Sequence, residues 1–423
     1  MSHQLPNTGT EQAGTAPHER IAGIDVARAL AVFGMFTVHL GMGSIGLLDS
    51  GPAETFHTLV RGNSSALFAF LAGVSLSLMT GRGVPLSGLP LRRATGRILV
   101  RAIVLALLGG LLDMLGAPVA VILTYYGGFF ILALPLLRLR AGGLMAAAVL
   151  VGLLGPQLSY LARATFLEAP TARQGSIGGI TDFLATGYYP AATFMAFVIA
   201  GMAVGRLDLS SARVRVWLAC VGAALTAVGY GGSWLLLYPL GFLDRLILAE
   251  VRALDGPNAT VDPTMWGPMR EWMAERFGDL HGEVPAESAW WLVVASPHSG
   301  TSFEIAGAVG TSLLVLAGCL VLARLVGVLG TPLAAAGSMA LTIYAGHIVV
   351  IAVIGSSAQD DAPFRLEAFV VGALLFATIW RVLLGRGPLE RGMGWLADSA
   401  LRLSGPQDNE DDYLGPEHHR RGG

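Results

Sequence analysis

Ten runs of apolar residues, each close to the length a helix needs to cross a bilayer, dominate this chain. They fall at 21–46, 63–80, 97–115, 117–137, 142–161, 183–205, 214–240, 303–326, 333–355 and 365–384. A hydrocarbon core takes roughly 20 residues of helix, and only segments that satisfy their own backbone can lie in it. Few folds remain open to a chain so patterned. The expected fold is all-α, a polytopic integral membrane bundle of about ten transmembrane helices. The charged fraction of 13% agrees, because soluble domains carry about 25%. Residues 1–20 lack the basic and short apolar regions of a cleavable signal. They are expected to be a disordered cytoplasmic tail ahead of a membrane domain over 21–400, with 401–423 a second such tail.

All 27 basic residues are arginine, and they gather in alternate short loops. Arg82, Arg92 and Arg93 follow the second run, Arg138 and Arg140 the fourth, Arg206, Arg213 and Arg215 the sixth. Arg386 and Arg391 follow the tenth. Basic residues accumulate in cytoplasmic loops, which predicts cytoplasmic termini and an external loop at 241–302. Loops of that length are functional or disordered. Its Trp266, Trp272, Trp290 and Trp291 are expected to be interfacial anchors, with a sugar-stacking surface as the other reading. The net charge of −2 argues against nucleic acid as a partner. Cys220 and Cys319 sit in apolar runs without metal spacing and read as packing residues.

Ionisable groups are costly in a bilayer and mark functional sites. The first run holds three: Asp25, Arg28 and His39. Asp25 and Arg28 share a helix face; they are either an interfacial ion pair or a cationic ligand oriented by its acid. Arg97 and Arg101, four apart, are either interfacial anchors or a phosphate clamp, which arginine suits. His39 lies about 27 Å up its helix, and His57, His298 and His347 are expected near the same membrane face. One such histidine is structural or interfacial. Several at one depth point to proton handling. His281 sits mid-loop and needs no role. Small polar residues gather in Gly62-Asn63-Ser64-Ser65 and Gly73-Val-Ser75-Leu-Ser77; they line a pore or allow close packing, and packing is the expectation for the second group. No metal-type His/Cys cluster is evident.

The pattern Arg20-x4-Asp25-x2-Arg28-Ala29-x-Ala31 resembles the opening of the transmembrane acyltransferase superfamily. That group includes heparan-α-glucosaminide N-acetyltransferase and the YeiB-like bacterial proteins; Ala29 stands where the family usually has Gly. Gly62-Asn-Ser-Ser-Ala-Leu-Phe-Ala-Phe-Leu-Ala-Gly-Val-Ser75 is similar to the second-helix signature of the bacterial members. Arg97-x3-Arg101 followed by Gly109 is similar to their third helix. Gly337-Ser-Met-Ala-Leu-Thr-Ile-Tyr344-Ala-Gly-His347 is similar to a late helix, and Gly387-Pro388-Leu389-Glu390 to the segment after the last span. Residues 140–300 offer nothing to match.

The resemblance implies an enzyme of the bacterial inner membrane that takes an acyl group, such as acetyl, from cytoplasmic acyl-CoA. It would pass that group to an envelope glycan or lipid-linked acceptor at the outer face. It places Arg97, Arg101, Arg28 with Asp25, Asn63 and Ser64 at the donor, and Tyr344 and His347 beside the thioester. The catalytic histidine is either His57, in the first outer loop but at a different spacing from the family's second-helix motif, or His39. Membrane lipids are the other partners, no metal is called for, and homodimerisation is left open. The competing reading is a small-molecule or lipid exporter.

Overall fold

The computed structural model describes residues 21–166, 176–360 and 362–404, and each of the ten apolar runs carries helix. In order the helices are α1 (Ala22–Leu40), α2 (Ser50–Val60), α3 (Asn63–Met79), α4 (Gly88–Asp113), α5 (Leu123–Ala133) and α6 (Ala141–Thr165). Then come α7 (Ala191–Gly205), α8 (Ala212–Thr226), α9 (Gly232–Leu237), α10 (Phe242–Asp255) and α11 (Trp266–Gly278). The last five are α12 (Ser302–Val326), α13 (Thr331–Ser338), α14 (Ala340–Ile354), α15 (Arg365–Leu384) and α16 (Pro388–Ser404). No strand occurs among the described residues.

Seven of these units, counting α2 with α3 and α8 with α9, are long and apolar enough to cross a membrane. The run expected at 333–355 is instead a broken pair, α13 and α14, bent by 79°. Those expected at 117–137 and 183–205 give shorter apolar helices at Leu123–Arg138 and Ala191–Gly205. Proline explains the shortening. Pro190 is the N-cap of α7, and Pro118 lies in the non-helical stretch ahead of α5.

α1 is the central helix. Of its apolar window 78% is buried, against 11% for α15 at the edge. Glycine lets its neighbours approach. A Cβ on Gly337 of α13 would lie 1.6 Å from the Asp25 carbonyl oxygen, and one on Gly34 would lie 2.0 Å from Ser64 Oγ. α3 crosses α7 the same way, Gly73 against the Val198 carbonyl and Gly201 against the Phe70 carbonyl. Ser77 Oγ donates to Met202 O at 2.7 Å across this crossing, so the second small-residue group does serve packing. Leu107, Leu111, Leu153 and Val382 point outward; an apolar belt of this kind is what lipid, not water, would cover.

Two features fix the end of the bundle opposite His39. The Arg206 guanidinium, buried after α7, donates to the carbonyls of Ser77, Thr80, Arg82 and Leu137, closing helix ends whose last carbonyls lack partners. Glu390 of α16 accepts from Thr342 N at 3.1 Å and Thr342 Oγ1 at 2.5 Å. That carboxylate supplies the acceptor that the start of α14 needs after its break.

The 241–302 segment is folded rather than disordered. Leu246, Ile247, Met273 and Trp291 form a core of their own between α10, α11 and the turn at Ala289–Val293. Trp291 is fully buried, and its Nε1 donates to Glu250 Oε1 at 2.6 Å. Arg276 lies over the Trp272 and Trp291 rings and pairs with Glu250 at 3.2 Å. Trp291 is therefore a core residue and not an interfacial anchor, because its indole N–H finds a buried carboxylate. α16 continues to Ser404, so the first residues of the expected C-terminal tail are helical. The rest of both tails lies outside the described residues.

Candidate active site

α1 ends at Leu40, and Gly41, at φ +78°, turns the chain away from it. Glu367 of α15 accepts from Gly46 N and Leu47 N and ties down the turn that follows. His39 is thereby held one residue short of the helix end, and α14 brings His347 to it. His39 Nδ1 and His347 Nε2 are 2.9 Å apart, and the rings stack at 5.2 Å with 11° between planes. Phe36 packs on the His347 ring at 4.6 Å, and Tyr344 meets it edge-on at 5.0 Å. Tyr344 Oη accepts from Ile122 N at 3.2 Å, which fixes that phenol against the start of α5. The His347 ring is buried, and its Nδ1 has no hydrogen-bond partner among the described residues.

His39 is only half-buried, because its ring also lines a cavity of about 220 Å³. The other walls are Val38, Arg61, Pro118, Val119, Ala120, Tyr188, Tyr189, Leu280, His281 and His298. A second hollow of about 330 Å³ shares Pro118, Val119, Ala120 and Tyr188 and reaches Asp113 and Ser176. Asp113 accepts from Ser176 Oγ at 2.5 Å, and Tyr125 Oη donates to Ser176 O at 2.8 Å and accepts from Tyr188 N at 3.2 Å. These bonds hold the tyrosine-bearing wall. Burial, and then the Arg61 charge with the His281 and His39 rings, pulls His298 down to a pKa of about 4. Among the described residues no group of three or more His, Cys, Asp or Glu could hold a metal ion.

The expected site residues divide into four places. His39, Tyr344 and His347 come together. His57, on α2, lines neither hollow. Asp25, Arg28, Arg97 and Arg101 gather at the opposite end, around the last turn of α3. Arg28 pairs with Asp25 at 2.8 Å and donates to Ser75 Oγ at 2.7 Å. Arg101 Nη1 meets Met79 Sδ at 2.8 Å, one turn further along the same face of α3. Arg97 pairs with Asp398 of α16 at 3.2 Å. Asn63 and Ser64 are not with them: Asn63 Oδ1 accepts from Tyr230 Oη at 2.9 Å, and Ser64 Oγ donates to Val60 O. A cavity of about 620 Å³ also opens at the arginine end. Arg82, Arg206 and Arg324 line it, and Arg28, Arg97 and Arg101 do not.

Sequence reasoning missed Arg61, Tyr188 and Tyr189 and gave His281 no role; it set His298 at the same membrane face as His39 but in no motif. They arrive from loops far apart in the chain, and only the position of Arg61 beside the Gly62 motif could have drawn notice.

None of the curated proteins matches this chain. The family model for the catalytic region of heparan-α-glucosaminide N-acetyltransferase matches residues 20–240, just over half of it. The matched stretch holds the first-helix motif, His39, Arg61 and the two tyrosines, whereas His281, His298, Tyr344 and His347 lie beyond it. On that match the chain belongs to the heparan-α-glucosaminide N-acetyltransferase catalytic family.

Proposed function

We propose that this membrane acetyltransferase-like protein moves an acyl group from cytoplasmic acyl-CoA to a hydroxyl or amine of an envelope glycan or lipid-linked acceptor at the outer face. The observation that carries the reading is the direct contact between His39 and His347. It joins two separate sequence motifs, on helices at either end of the chain, at the wall of a polar cavity.

In the tautomer where His39 Nδ1–H donates to His347 Nε2, the His39 Nε2 lone pair is free for an acceptor in the cavity. His39 then takes the acceptor proton as its oxygen or nitrogen attacks the thioester carbonyl. The carbon–sulfur bond breaks, and the thiolate leaves with a proton returned through the imidazole pair. His347 orients the base and stabilises the imidazolium that forms. The Tyr344 phenol, fixed by Ile122 N, packs edge-on against the His347 ring and holds it in place behind His39. Arg28, Arg97 and Arg101 hold the donor phosphates at the other end. The broken α13–α14 pair favours the exporter reading, since transporters build sites from interrupted helices.

Purified protein in detergent, given acetyl-CoA, tests the reading. His39→Ala should lower turnover, by transfer or by thioester hydrolysis, about 10²–10⁴-fold while leaving acetyl-CoA affinity intact. His57→Ala should change neither. Arg97→Gln with Arg101→Gln should weaken acetyl-CoA binding by about 2–4 kcal/mol. Loss on Arg82→Gln with Arg324→Gln instead would move the donor to the 620 Å³ cavity. No acetyl-CoA binding by the wild type would put the exporter ahead, and full turnover in His39→Ala would remove His39 as the base.

A further inference from the structure

Among the described residues His298 is one of three non-glycine residues with a left-handed backbone, at φ +59°. Non-glycine residues are uncommon in that region, although histidine enters it more readily than most, and where one persists the surroundings impose it, commonly at functional sites. Here they do so from several sides. Glu304, near the start of α12, accepts from His298 N at 2.7 Å and from Gly300 N at 2.6 Å. The His298 carbonyl accepts from Gly282 N at 2.7 Å. Gly62, Gly282 and Gly300 all have positive φ, and a Cβ on Gly300 would lie 2.6 Å from Gly282 O. Three glycines and a buried carboxylate are thus arranged around one strained histidine.

Packing alone gives little reason for the strain. The ring touches Tyr189 edge-on at 6.0 Å, and its nitrogens make no hydrogen bond among the described residues. It faces the same cavity as His39. We infer that His298 is an acceptor-binding residue: the loop holds its ring in the cavity so that a ring nitrogen hydrogen-bonds the acceptor and sets its nucleophile against His39. This rests on the acyltransfer reading above and adds to it the residue that recognises the acceptor.

The test uses the full-length protein with acetyl-CoA and, as acceptor probes, glucosamine and methyl glucoside, alongside hydrolysis by water. His298→Asn tolerates the left-handed backbone and keeps one side-chain donor; His298→Gly keeps neither ring nor donor but relieves the backbone. The expected result is a melting temperature unchanged or higher in both variants, with acetyl-CoA affinity and hydrolysis within about two-fold of wild type. The sugar KM should rise at least ten-fold in His298→Gly and less in His298→Asn. An unchanged sugar KM in both variants overturns the inference while leaving the acyltransfer reading in place. So does a lowered melting temperature with hydrolysis lost in step with the rise in KM, which marks a structural residue. A wild type that binds acetyl-CoA yet acetylates neither sugar also overturns it; one that does not bind acetyl-CoA overturns the acyltransfer reading with it.

Discussion

An imidazole serves as a base or a neutral hydrogen-bonding group only while it carries no charge, and His298 shows how this end of the bundle favours that state. Its folded-state pKa of about 4 lies below the ordinary 6.5, first through burial and then through Arg61. Between those values the unfolded chain binds a proton that the folded chain refuses. The contribution is therefore fully present above about pH 6.5, declines as pH falls toward 4, and is level below. His298→Asn removes the titrating group, so its melting temperature should fall less steeply than that of the wild type between pH 6.5 and 4. Parallel curves would show that the ring is not held neutral. His39 and His347 were legible in the sequence because each sits in a motif within an apolar run, where a titratable group stands out. His298 was legible only in its depth and His281 not at all, because loop histidines are ordinary and nothing local shows that glycines fold the loop back onto α3.

Among the helices, the contacts that matter are made by what is missing from glycine. α3 and α7 approach until Gly201 rests on the Phe70 carbonyl, where a Cβ would lie 1.8 Å from the oxygen. Gly201→Leu cannot be absorbed by a rotamer change and should cost at least about 1–3 kcal/mol. Gly372 on the outer face of α15 meets nothing within 4 Å, so Gly372→Ala should be neutral or stabilise by roughly 0.5–1 kcal/mol through backbone entropy. Thermal unfolding of both variants in detergent checks the contrast, and similar losses in the two would argue against this crossing. Helix positions were readable from hydropathy because each run had to be apolar over its whole length. The break at Met339 was not, since the 333–355 run is apolar on both sides of it and its closure depends on Glu390, some fifty residues on. The core beneath α10 and α11 was also hidden, because it is too small and too acidic outside to read as anything but loop.

For the whole chain, arginine alternation sets a direction that the helices alone do not. With cytoplasmic termini, a cysteine at Asn258 should react with a membrane-impermeant reagent on intact cells, whereas one at Ser87 should need permeabilised cells. The opposite labelling would invert the protein and place the His39 cavity inside. The contact between His39 and His347 has a further consequence for biosynthesis. Spans enter the membrane in the order in which they are made, so α1 is inserted with His39 facing no partner. It must wait through the synthesis of some three hundred residues before α14 arrives. During that interval the nascent chain holds a buried polar group whose partner does not yet exist, and the membrane-insertion machinery or another helix must shelter it. The His39–His347 contact is thus withheld from every incomplete chain, and a ribosome that stalls before the last spans leaves behind a product that can insert but cannot complete this site.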